Sequence, residues 1–219
     1  MINNKYLMRV IDLLCTITYK NADRLTVISP GFKDKLIYNY VTLCGLGRLP
    51  GGGTWASLLV LCLVLWSPLG TDPYPSGLLF WVAVITMLSI GLIGKSLSYF
   101  ESKDPKEIVI DEVSGMAFSL MIVGIFSDIF GEFKFVLPEY LSNRDLMFIV
   151  TFVIFRMFDI SKIGPVGWIE DPKKAPSWWQ KMESDSSDDA LKIWTDDFVA
   201  GVLSAVVVIC VLSIYLWVL

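Results

Sequence analysis

Long runs of uncharged, mostly apolar residues dominate the pattern along the chain. Three such runs cover residues 49–71, 73–94 and 198–219. Each is as long as the roughly 20 apolar residues that an α-helix needs to cross the hydrocarbon core of a bilayer. The pattern therefore predicts a membrane protein and excludes a soluble globular enzyme.

Two further hydrophobic helices have shorter uncharged stretches, so either they are partial spans or their ends carry charges held inside a cavity lined by protein. The helices expected to cross the membrane are about 55–69, 77–97, 111–130, 145–161 and 196–218. An amphipathic helix at 6–19 and a short helix at 33–44 precede them, and a polar insertion occupies 170–193. The predicted fold is an all-α, polytopic membrane helix bundle, with an N-terminal interfacial segment over 1–44 and a membrane-embedded domain over 45–219.

Charge is distributed very unevenly between the two ends of this bundle. With five crossings, sixteen of the 18 Lys and Arg residues fall on one side. The positive-inside rule makes that side cytoplasmic. A net charge of −4 gives no basic surface for nucleic acid, so we expect no nucleic-acid partner. The absence of histidine excludes His-dependent nucleophiles, bases and metal ligands.

Two pairs of adjacent acids lie on the predicted cytoplasmic side. Asp111 and Glu112 open the third helix and Asp196 and Asp197 open the fifth, with Gly115 and Gly201 one turn further on. Acids in a first helical turn are stabilised by the macrodipole by about 0.3–1 kcal/mol each, which is a purely structural reason for them. Two pairs on one face also suit a divalent cation, because Mg²⁺ prefers oxygen ligands. The glycines would let neighbouring backbones approach closely.

Arg156, Asp159 and Lys162 are spaced three apart and share one helical face. They could form a self-neutralising surface triad with snorkelling cations. Alternatively, Asp159 is a metal ligand flanked by two phosphate-binding cations, and the apolar surroundings favour this interpretation.

A glycine-rich segment runs from Gly45 to Thr54 and leads into the first predicted span. Its Gly51-Gly52-Gly53-Thr54 end could present backbone N–H groups to an anion, or it could be a flexible entry to a membrane helix. It is not a Walker A motif, because Gly53 stands where that motif has lysine.

These segments together resemble a known family. The matching motifs, in chain order, are Gly45-Leu46-Gly47 with Gly53-Thr54-Trp55-Ala56-Ser57-Leu58, Asp111-Glu112-Val113-Ser114-Gly115-Met116, Phe155-Arg156-Met157-Phe158-Asp159-Ile160-Ser161-Lys162 with Pro165, and Asp196-Asp197-Phe198-Val199-Ala200-Gly201. The chain is similar over roughly 44–203 to the phosphatidylglycerophosphatase A family of bacterial membrane phosphatases. The family usually has Pro-Gly-Thr-x-Gly-Ser where this chain has Gly52 and Ala56 in place of the proline and the second glycine, and usually has proline where this chain has Ile163.

The resemblance implies Mg²⁺-dependent removal of the terminal phosphate from phosphatidylglycerophosphate, in phospholipid biosynthesis at the bacterial inner membrane. The residues hypothesised to hold one or two Mg²⁺ and to carry catalysis are Asp111, Glu112, Asp159, Asp196 and Asp197. Those hypothesised to bind the phosphate or headgroup are Gly53, Thr54, Ser57, Arg156 and Lys162. The metal would polarise the phosphoryl group and orient water, while a covalent aspartyl-phosphate on Asp111 or Asp196 is the competing route.

Three other functions remain open at the level of sequence. The chain could act on another phosphorylated membrane lipid. It could be a cation transporter, since transporters also use intramembrane acids, although none of these acids lies midway through a long span. It could also be a partner-binding membrane protein whose acids only satisfy helix dipoles.

Overall fold

In the computed structural model, the described residues are 32–66, 75–100, 105–130, 143–171, 173, 176–177 and 189–218, and this part of the chain is helical, without strands. The helices are α1 (Phe32–Val41), α2 (Gly52–Leu65), α3 (Pro75–Leu88), α4 (Ile90–Ser96), α5 (Ile110–Phe130), α6 (Asn143–Ser161), α7 (Pro165–Glu170) and α8 (Asp189–Val218). Short 3₁₀ turns lie at Leu46–Arg48 and Leu97–Tyr99. The predicted helix at 6–19 and most of the insertion at 170–193 lie outside the described residues.

Two helices, α5 and α8, are long and apolar enough to cross a membrane. A third candidate is the α3–α4 pair, which bends by 43° where one helix gives way to the next. The span predicted over 77–97 is therefore a candidate span that is broken by this bend. At the break, the Ser89 hydroxyl donates to the Ile85 carbonyl at 2.7 Å and the Thr86 hydroxyl to the Val82 carbonyl at 2.8 Å. Such side-chain bonds to the preceding turn bend helices.

Helix α2 is apolar but shorter than these candidates. The described residues therefore contain two or three candidate spans, and the expected number of about five is not confirmed. An all-helical membrane protein is nevertheless what these helices indicate.

Helix α5 is the centre of the bundle and packs against α2, α3, α6 and α8. Its contact with α8 is the most extensive. The facing surfaces carry small residues, and the buried hydroxyls of Ser119 and Ser204 are 2.8 Å apart across the contact. Helices in a bilayer gain stability from such close packing, because lipid offers no hydrophobic driving force between them.

The segment that leads into α2 is held beside the start of α5. The Val109 amide donates to the Val41 carbonyl at 3.0 Å, which joins the end of α1 to the residues before α5. Gly47 packs so tightly on the Glu107 carbonyl that a Cβ there would overlap it. The short helix predicted at 33–44 is confirmed as α1, and the glycine-rich segment is a packed turn.

Helix α8 begins at Asp189, so the prediction that Asp196 and Asp197 open this helix is wrong. The first two turns of α8 are anchored by Trp194, whose indole N–H donates to the Ser114 hydroxyl on α5 at 2.9 Å. The Trp194 ring also stacks on Phe198 at a centroid distance of 4.6 Å. Because of these contacts, the helix includes residues 189–193, which were predicted from their polar composition to belong to the insertion.

Candidate active site

The two acid pairs are brought together by the crossing of α5 and α8. A Cβ on Gly115 would overlap the Asp197 carbonyl oxygen, and a Cβ on Gly201 would overlap the Gly115 carbonyl oxygen. Only glycine permits backbones to approach this closely. The close approach that the sequence predicted for these glycines is confirmed, and it places the start of α5 against the third and fourth turns of α8.

Three carboxylates converge at this crossing. Asp111, Glu112 and Asp197 each offer one oxygen, and these oxygens lie within 4.8 Å of one another. Asp111 and Asp197 are only 5% and 4% exposed. The buried Glu112 Oε2 has no hydrogen-bond partner. Within the described residues, no Lys or Arg forms an ion pair with any of the three. No ion pair in this part of the chain therefore offsets the negative charge of this group of three.

The helix macrodipole stabilises only two of these three carboxylates. Asp111 and Glu112 lie in the first turn of α5, as predicted, where the dipole favours negative charge. Asp197 lies two turns inside α8, and the dipole effect falls off within the first turn. A buried carboxylate in the interior of a helix therefore needs another source of stabilisation.

The cations of the site come from the end of α6. Arg156 forms an ion pair with Asp159, and the Lys162 Nζ atom lies 3.7 Å from the other Asp159 oxygen. The Asp159 carboxylate also interacts electrostatically with Glu112 and Asp197. Asp159 thus lies between the group of three and the two cations. Arg156 and Asp159 share a face of α6 as predicted, whereas Lys162 lies one residue beyond the end of that helix.

Lys162 also forms an ion pair with Asp196, which is the second acid of the α8 pair. Burial alone would lower the pKa of the Lys162 ammonium, but the neighbouring carboxylates, Asp196 foremost, raise it above its usual value. The ammonium is therefore charged at neutral pH. Asp196 was predicted as a metal ligand beside Asp197, but the structure directs its carboxylate to Lys162 and leaves it outside the group of three.

The first turn of α2 borders the site on its other side. A Cβ on Gly53 would overlap the Glu112 carboxylate, so glycine leaves room for that side chain. The Ser57 hydroxyl donates to the Gly53 carbonyl at 2.8 Å and accepts from Arg156 at 3.5 Å. Thr54 lies in the same turn, which follows Gly51 in a left-handed conformation and has no side-chain cap.

The contact between Trp194 and Ser114 is a supporting part of the site that the sequence patterns did not reveal. It fixes the start of α8 against the first turns of α5, next to both acid pairs. A signal was available, because Trp194 and Phe198 are four residues apart and continue the helical spacing before Asp196.

Comparison with known proteins agrees with this geometry. A family model described as phosphatidylglycerophosphatase A matches residues 39–212, which includes the glycine-rich turn and every acid and cation of the site. No curated protein and no solved structure matches significantly. The family match covers most of the chain. The chain therefore belongs to the phosphatidylglycerophosphatase A family, whose members are phosphoric monoester hydrolases.

Proposed function

We propose that this chain hydrolyses phosphatidylglycerophosphate to phosphatidylglycerol and inorganic phosphate, using Mg²⁺ and the membrane-embedded part of the chain from residue 45 onward. Family membership supports the reaction. The observation that carries the metal dependence is the buried group of Asp111, Glu112 and Asp197, which lacks a cation of its own among the described residues.

The donor chemistry of this group fits Mg²⁺. All three ligands are carboxylate oxygens, which hard divalent cations prefer, and Mg²⁺ in phosphoryl-transfer sites takes one or two carboxylates together with substrate phosphate. The unpartnered Glu112 Oε2 supports the same assignment, since an unpaired buried acceptor costs free energy until something binds it. When bound, the ion would offset negative charge on the phosphoryl oxygens and favour attack by water.

Binding of the phosphate is assigned to the α6 cations and the first turn of α2. The Arg156 Nε atom is buried without a partner, so this guanidinium keeps a donor for an anion although it pairs with Asp159. The Ser57 hydroxyl and Asp159 hold Arg156 from two helices. Gly53 and Thr54 contribute the first amides of α2, and a helix N-terminus is a favourable place for a phosphate.

We further propose that the site faces the cytoplasm at the bacterial inner membrane. The uneven distribution of Lys and Arg supports this orientation. A site at one end of the spans also suits the substrate, because the headgroup can reach the carboxylates while the acyl chains stay in the bilayer.

The test is phosphate release by the detergent-purified full chain, with Mg²⁺ or with EDTA. Phosphatidylglycerophosphate and phosphatidic acid are compared as substrates. We expect Mg²⁺-dependent release from the first lipid only. Release from both would keep the phosphatase reaction and contradict the headgroup selectivity. No release from either lipid by folded protein would refute the proposed function.

Matched variants connect this reaction to the group of three. Asp197→Asn removes the buried charge at the helix crossing and should abolish turnover. Asp128→Asn makes the same change near the far end of α5, where Asp128 pairs with Arg144 at 2.9 Å, and should leave turnover unchanged. Full activity of Asp197→Asn would show that the group of three is not needed for turnover.

A further inference from the structure

Asp196 and Asp197 are neighbours in sequence, but their carboxylates have different partners. Asp197 joins Asp111 and Glu112, whereas Asp196 forms an ion pair with Lys162. Adjacent acids can converge, as Asp111 and Glu112 do on α5, so it is the contact with Lys162 that separates Asp196 from Asp197. The two acids therefore have separate tasks.

The position of Lys162 is set by an unusual turn between α6 and α7. Its amide makes the last helical hydrogen bond, to the Phe158 carbonyl at 2.9 Å, and its φ of 50° lies in the left-handed region. That conformation is uncommon for a residue with a side chain. Gly164, with φ of 64°, continues the turn, and Gly167 packs on the Lys162 carbonyl where a Cβ would overlap it.

This turn places the Lys162 ammonium between two helices. Asp159 approaches it from α6 and Asp196 from α8. The Lys162 side chain is 29% exposed and that of Asp159 is 11% exposed, so the lysine lies on the outer side of the carboxylates. A substrate phosphate that approaches the group of three from outside would meet this ammonium.

We propose that Asp196 is a positioning residue, which holds Lys162 at the outer edge of the group of three so that its ammonium faces the substrate phosphate, and that Asp196 is not a metal ligand. That the ammonium meets a substrate phosphate rests on the proposed function. A lysine side chain has four carbon atoms and a mobile point charge. Fixing it before the substrate arrives removes an ordering cost from each binding event.

The first test separates positioning from metal binding and needs no turnover. Mn²⁺ binding to the detergent-purified full chain is measured by electron paramagnetic resonance. We expect Asp196→Asn to bind Mn²⁺ within about twofold of the wild-type protein, and Asp197→Asn to bind it at least about tenfold more weakly. Asp128→Asn is the matched control for loss of an ion-paired carboxylate. Weakening in Asp196→Asn equal to that in Asp197→Asn would overturn the assignment.

The second test asks whether Asp196 acts through Lys162. Asp196→Asn and Lys162→Met should each lower kcat/KM for phosphatidylglycerophosphate by about tenfold, with an unchanged Mg²⁺ concentration at half-maximal rate. The double variant should be no worse than Lys162→Met alone, because the carboxylate has no task once the ammonium is gone. Multiplicative losses in the double variant would overturn the inference. If the wild-type protein neither binds Mn²⁺ nor releases phosphate, the proposed function fails and this inference fails with it.

Discussion

Replacing Gly201 by alanine tests whether the site depends on the close crossing of α5 and α8. The added Cβ would overlap the Gly115 carbonyl oxygen and lie 3.0 Å from its carbonyl carbon and 3.2 Å from its Cα. Non-bonded heavy atoms prefer separations of about 3.5–4.0 Å, so the helices must move apart by roughly 1 Å. The neighbouring atoms are backbone and cannot rotate away.

Two consequences follow from this displacement. Overpacking of this kind costs about 1–3 kcal/mol of stability. At roughly 2–4 °C of Tm per kcal/mol for a chain of this size, we expect Gly201→Ala to lower Tm by about 2–12 °C. The displacement also moves Asp197 away from Asp111 and Glu112, and a misplacement of about 1 Å can cost about 100-fold in rate.

The assay is Mg²⁺-dependent phosphate release together with thermal unfolding in detergent, and the control is Gly91→Ala. Gly91 lies in α4, and a Cβ there has nothing within 4 Å. The control should keep wild-type turnover and gain up to about 1 kcal/mol, because alanine favours helix over glycine. Wild-type turnover and stability of Gly201→Ala would refute the idea that this crossing assembles the site.

Three further predictions concern the metal, the guanidinium and the start of α8. Mg²⁺ should raise the Tm of the wild-type protein but not of Asp197→Asn, because a ligand stabilises only the protein that binds it; equal stabilisation of both would exclude Asp197 from the metal site. Arg156→Lys should lower kcat/KM by at least about tenfold, since lysine lacks the buried Nε donor that Arg156 keeps for an anion, and an unchanged value would argue against phosphate binding there. Trp194→Phe should cost about 1–2 kcal/mol in thermal unfolding, because the buried Ser114 hydroxyl loses its donor, and an unchanged Tm would contradict the anchoring role.

Local spacing predicted those parts of the site that depend on a single helix. Asp111 precedes Gly115 by four residues, as Asp197 precedes Gly201, and both glycines are where the backbones touch. The shared face of Arg156 and Asp159 on α6 also follows from helical spacing alone. Such features need no knowledge of neighbouring helices, and for that reason the sequence reveals them.

Features that depend on packing between helices could not be predicted in this way. The start of α8 at Asp189 depends on the hydrogen bond between Trp194 and Ser114 of α5. A hydropathy pattern contains no information about this contact between helices. The separate orientation of Asp196 depends on the turn that brings Lys162 back from the end of α6. Adjacent acids therefore looked like one metal-binding unit, whereas tertiary structure assigns each a different partner.

The depth of the acids along their helices bears on the choice between phosphatase and cation transporter. Asp111 is the second of the 21 residues of α5, a helix about 31 Å long. In α8, the residues that follow Asp197 up to Val218 extend about 32 Å, close to the roughly 30 Å of the hydrocarbon core. If these apolar stretches cross the core, both helices place their carboxylates near one edge of it. A transport path would need polar groups across the full depth, but between Gly115 and Ser127 α5 carries no charged side chain. An acidic group at headgroup depth suits a phosphorylated lipid better than an ion in transit.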